Sequence, residues 1–102
     1  MNKHNIKETS GWFSVLQTND QSQTAIMTLA PGKWSGEKGN EHPGSDQVLL
    51  VLEGEVVAEI GDERAVLHAG DVVTVEAGAP HRFGNESKSK AVTFNVYAPP
   101  AY

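Results

Sequence analysis

The chain contains no cysteine, which excludes disulfides, thiolate nucleophiles and cysteine-based zinc sites. It is also short of positive charge. Its 8 Lys and Arg stand against 13 Asp and Glu, for a formal net charge of −5. The cations are scattered, and a mildly acidic surface repels phosphate backbones, so nucleic acid is not expected as a partner. No apolar run is long enough to span a bilayer, and Met1 to Lys7 lacks the apolar stretch of a signal peptide. The expectation is a cytoplasmic protein with no membrane partner. Missing too is any sustained apolar stripe at a 3.6-residue period, which removes the amphipathic helix as a building block.

What remains is a chain of 102 residues with 38% hydrophobic and 21% charged residues, a balance that suits a folded globule. The length fits one domain over residues 1–102, with residues 1–10 expected as a frayed or edge-strand segment. A chain of this size buries only about 60–70% of its unfolded surface, so self-association is a natural way to gain burial. A homodimer is expected, with Trp12, Phe13, Val15 and Leu16 as its contact.

Period-2 alternation dominates and predicts eight strands: 12–18, 24–29, 47–53, 55–60, 64–68, 72–76, 81–85 and 91–98. Turns fall at Asn19 to Ser22, Gly54, Gly61-Asp62, Ala69 to Asp71 and Ala77 to Pro80. A long polar loop, Ala30 to Asp46, separates the second and third strands, and loops of that length in a small domain are commonly functional. The stretch from Gln47 to Glu53 is almost wholly apolar, as in a strand covered on both faces. Short strands with Gly-rich turns at 8–12-residue intervals mark a sandwich or barrel. The fold class is all-β and antiparallel.

Two stretches carry a resemblance. Gly70, Gly78, His81 and Asn85 fit the pattern G-x5-P-x-G-x2-H-x3-N, with Glu76 where the pattern has proline. Upstream, His42, Gln47 and Gly54 fit the end of G-x5-H-x-H-x3–4-E-x6-G, with Asn40 at the first histidine and Gln47 at the glutamate. Gly32 lies two residues too far upstream for the opening glycine, so this loop looks lengthened. The chain resembles the cupin superfamily of small single-domain barrels, whose fold is a double-stranded β-helix or jelly roll.

That resemblance implies a divalent transition metal (iron, zinc, nickel, manganese or copper) in the barrel, held by His42, His81, Gln47 and Asn40. Imidazole suits all five metals. Two amides in place of charged ligands leave the cation uncompensated unless Glu37, Glu41 or an anionic substrate balances it. A small-molecule site is expected around Asn40, Gln47, His81, Trp34 and Tyr97, with Trp34 over the barrel mouth or against a dimer mate. His4 and His68 read as surface residues, and strand alternation turns Arg82 away from His81. Relatives often carry an aspartate near Asn95 and an arginine after the final prolines. Both are missing here, so no general acid or base is assigned at that place. Three readings stay open: a metal-dependent barrel acting on a small polar or anionic molecule as a dioxygenase, isomerase or lyase; a non-catalytic small-molecule-binding barrel; and a structural domain with a decayed site.

Overall fold

The computed structural model describes residues 1–39 and 41–102. Among them, eight strands form where the alternation places them: β1 (Phe13–Thr18), β2 (Gln23–Leu29), β3 (Asp46–Glu53), β4 (Glu55–Ile60), β5 (Glu63–His68), β6 (Val72–Val75), β7 (His81–Gly84) and β8 (Ala91–Ala98). Their pairings are antiparallel. One sheet has five strands in the order β1-β2-β8-β3-β6, and the other has three in the order β5-β4-β7. Together they make a jelly-roll double-stranded β-helix. Residues 1–10 contain no strand. Ile6–Glu8 makes one 3-10 turn, and the Asn5 side chain accepts the Lys7 N–H at 2.9 Å.

The corners explain two glycines of the pattern. The Glu76 carbonyl accepts the Ala79 N–H at 3.0 Å, and Gly78 takes φ +89° inside that turn. Such a turn needs a positive φ at its third residue, which glycine adopts without strain. Nothing in this geometry requires the family's proline at position 76. Gly54, at φ +80°, carries the chain from β3 in the large sheet to β4 in the small one.

The interior divides along the barrel axis. Met27, Leu29, Leu49, Val51, Val56, Ala58, Leu67, Val75, Phe83 and Ala91 form the apolar part. In β8, alternate residues Ala91, Thr93, Asn95 and Tyr97 point inward and are buried. Register sets Tyr97 between Gln23 and Gln47, and Asn95 between Ala25 and Leu49. Polar groups therefore gather at the β8 C-terminal end, while the other end is apolar apart from the buried Asn85, which is tied to the Leu29 and Ser89 carbonyls. That gradient along one strand positions the site.

Candidate functional site

At the polar end, His42 leaves the long loop just ahead of β3, and His81 opens β7. Both are buried, and their ring centroids are 4.4 Å apart. Each ring is tethered through Nδ1 to a backbone carbonyl, Ser45 O for His42 and Ala79 O for His81, both at 2.9 Å. A carbonyl only accepts, so Nδ1 carries the proton and donates. In the neutral ring this leaves a lone pair on Nε2, the arrangement that outer partners impose on metal-ligating histidines.

His42 Nε2 lies 2.8 Å from Gln47 Oε1. With the proton on Nδ1, two lone pairs face one another there, and a cation held by both would relieve their repulsion. Ligands about 2.1 Å from an octahedral ion sit about 3.0 Å from each other, close to the spacing found. Gln47 Nε2 donates to Asn95 Oδ1 at 2.9 Å, Asn95 Nδ2 donates to Thr93 Oγ1 at 3.0 Å, and Thr93 Oγ1 donates to the Met27 carbonyl at 3.0 Å. This buried chain fixes the Gln47 amide.

Two imidazole nitrogens and an amide oxygen fit a divalent transition metal with open positions. Among the described residues no three His, Asp or Glu side chains gather, so a metal here would rest on His42, His81 and Gln47. Asn40, implied as a fourth, lies outside the described residues.

Beside these donors is a cavity of about 220 Å³ lined by Trp12, Phe13, Met27, Ser35, Glu41, Gln47, His81, Phe83, Tyr97 and Tyr102. Among the described residues it has no Lys or Arg on its wall, and Glu41 is its only carboxylate. Burial pushes the His81 pKa down from its ordinary value of 6.5, with the charge of His42 adding to this; the Ala79 carbonyl and Glu41 oppose it. Burial, reinforced by the neighbouring Tyr102, raises the Tyr97 phenol well above its usual range, so it is a protonated donor at neutral pH.

The His81 shift has a sign that can be checked. A folded pKa below the unfolded value means that the unfolded chain binds more protons, so stability rises with pH across that interval. The metal-free protein is expected to lose stability as pH falls from about 6.5, and His81→Gln is expected to flatten that slope. Thermal unfolding of both proteins at pH 5 to 8 reads the difference; equal slopes would remove His81 as the cause.

The structure brings together His42, Gln47, His81 and Tyr97 as the sequence led us to expect. Trp34 is a correction. Its ring packs onto Gly84, so closely that an added Cβ would collide with it, and the Arg82 guanidinium stacks over it at 4.2 Å. Gly84 and Arg82 face outward from β7, so Trp34 covers the barrel wall and not its mouth. Glu37 is exposed and absent from the cavity wall. Arg82 points outward as expected, pairing with Glu59 at 2.8 Å, and His68 pairs with Glu55 on the surface.

Sequence reasoning missed the aromatic end wall. Phe13 packs against Tyr102 at 4.9 Å and Tyr97 at 6.5 Å, and Tyr97 meets Tyr102 at 5.0 Å. Gln23, fully buried, holds this wall: its Oε1 accepts the Ala101 and Tyr102 N–H groups at 3.2 and 2.9 Å, and its Nε2 donates to the Tyr102 oxygen at 2.6 Å. A polar residue at an inward strand position is the signal that could have marked Gln23.

Two antiparallel sheets rolled around a histidine-bearing polar end define a double-stranded β-helix with its site at one mouth. The chain belongs to the cupin family, since the family model described as the cupin domain matches residues 25–97. It is 33% identical over 78 residues to YdbB of Bacillus subtilis, covering 76% of this chain and 65% of that protein. It is 32% identical over 93 residues to the HTH-type transcriptional regulator PuuR of Escherichia coli, covering 88% of this chain and 49% of the regulator. The chain thus spans less than two thirds of the length of these curated relatives. Among solved structures, the TT1209 protein of Thermus thermophilus superposes with a TM-score of 0.85 at 33% identity, covering 97% of this chain and 98% of that one.

Proposed function

We propose that the barrel holds a divalent transition metal on His42, His81 and Gln47 and acts on a small polar or anionic molecule in the adjoining cavity. The observation that carries this reading is the pair of Nδ1 tethers, which leave both Nε2 atoms as lone-pair donors in one buried place. The bound metal would supply Lewis-acid polarisation or oxygen activation. The chain's own residues do the rest. Asn95 holds the Gln47 amide in place, Tyr97 offers a protonated phenol, and Glu41 supplies negative charge on the wall. Phe13, Phe83 and Tyr102 give the cavity its apolar wall.

A second reading, a small-molecule-binding barrel without metal, draws on one specific observation. The buried amides of Gln23, Gln47 and Asn95 already donate to partners within the barrel. The likeness to a transcriptional regulator is in keeping with it.

Elemental analysis of tag-free protein purified without added metal separates the two, run beside His81→Ala. The expected result is near-stoichiometric metal that falls at least about tenfold in the variant. Little metal in either protein, even after reconstitution, would overturn the metal reading in favour of the second.

A further inference from the structure

We infer that the cavity beside the two histidines takes a small organic cation, an alkylated ammonium group seated between the aromatic wall and the Glu41 carboxylate. The inference rests on the small-molecule reading above and narrows it to molecules that carry a positive charge. It does not require the metal.

The chain has two Trp, two Tyr and three Phe, and five of these line this one cavity: Trp12, Phe13, Phe83, Tyr97 and Tyr102. An aromatic ring presents a negative face, and a cation within about 6 Å of it is attracted most strongly where water is scarce. Phe13, Tyr97 and Tyr102 meet one another at 58° to 77°. None of the three therefore hides another's face by flat stacking.

Charge points the same way. Among the described residues the wall has no Lys or Arg, and Glu41 is its one carboxylate. That carboxylate lies against Gly36, next to Ser35 of the wall: a Cβ on Gly36 would stand 2.9 Å from Glu41 Oε1. Its field crosses the cavity. Burial lifts the phenols of Tyr97 and Tyr102, and Glu41 adds to both; at His81, where burial lowers the pKa, Glu41 opposes it. An anion here would meet that carboxylate and the negative ring faces with no positive side chain to balance it, whereas a cation is favoured by both.

The acceptors select the kind of cation. A primary ammonium brings three N–H donors, each in need of an acceptor. Beside Glu41, two oxygens of the wall are already engaged: Gln47 Oε1 faces His42, and Ser35 Oγ accepts the Phe83 N–H. Alkyl groups on the nitrogen ask for no acceptor and lay the charge on the rings instead. The volume of about 220 Å³ equals that of about seven waters in the liquid. It suits an ion with about as many non-hydrogen atoms.

Calorimetric titration of tag-free protein with choline, and with its uncharged carbon isostere 3,3-dimethylbutan-1-ol, tests the cavity. Choline is expected to bind with a Kd of about 1 mM or below, and the isostere at least about tenfold more weakly. Glu41→Gln and Tyr102→Leu are each expected to weaken choline at least about fivefold with unchanged far-UV circular dichroism. Both side chains are exposed, Tyr102 by 56%, so neither change empties the core. Glu37→Gln removes the same charge from the same loop, away from the cavity wall, and is expected to leave the affinity as it is. Equal affinity for choline and the isostere would overturn the inference, as would no binding of choline, or equal losses from Glu37→Gln and Glu41→Gln. Metal content is measured on the same samples. Bound metal without choline uptake removes the cation alone, and choline uptake without metal removes only the metal reading.

Discussion

Gly54→Ala is expected to destabilise the fold by about 2–5 kcal/mol, from positive-φ strain of about 1–2 and forced displacement of packed backbone of about 1–3. Gly54 sits at φ +80°, and a Cβ there would lie 2.5 Å from the Lys90 carbonyl oxygen and 3.1 Å from the Ala91 Cα. Both obstacles are backbone of the loop entering β8, the central strand of the large sheet, so they cannot step aside as a side chain could. Total stability of a small domain is only about 5–15 kcal/mol, so the loss is a large share of it. The effect reaches the site as well. Gly54 joins β3, which carries Gln47, to β4, which pairs with the His81 strand β7. Urea unfolding is expected to show a lower midpoint with an unchanged slope. A loss below about 1 kcal/mol would mean that this corner relaxes freely and that glycine is not required there.

Asn95→Leu is expected to cost about 1–3 kcal/mol and, under the proposed metal reading, to lower metal content together with the lost stability. Asn95 is fully buried and sits between Gln47 and Thr93 in the hydrogen-bonded chain. Leucine leaves the Gln47 N–H without an acceptor inside the barrel, and an orphaned buried donor costs about 1–3 kcal/mol. It also removes the group that aims the Gln47 oxygen at His42. Asn95→Asp keeps an acceptor toward Gln47 and is expected to retain more metal than Asn95→Leu. Urea midpoints and metal content measured on the same preparations give both readouts. If Asn95→Leu kept full metal, Gln47 would be dispensable as a ligand.

Most strand positions could be read from the alternation because each inward residue is followed by an outward one, and the turn glycines fix where that alternation restarts. His42, Gln47 and His81 were likewise legible, since motif spacing counts residues along strands whose rise is constant. Long-range contacts were not. Gln23 meets Tyr102 across 79 positions in sequence, and nothing local to either residue announces the other. The sequence points to Phe13 as part of a dimer contact, yet its ring joins the Tyr97 and Tyr102 cluster because β1 lies beside β2 at the polar end. Trp34 sits in a loop without periodicity, which gives no direction to its side chain. The readable clue lay elsewhere, at Gly84: a glycine inside a strand marks the close approach of another group.

The chain's two tryptophans therefore occupy different worlds. Trp12 stands on the cavity wall, 55% exposed, while Trp34 is clamped between Gly84 and the Arg82 guanidinium on the outer wall. The protein thus carries a built-in optical reporter: light emitted from Trp12 follows what enters the mouth, while Trp34, which shares an outer groove with Trp12, follows that wall. Trp34→Phe would leave a single fluorophore for titrating ligands whose identity need not be known beforehand.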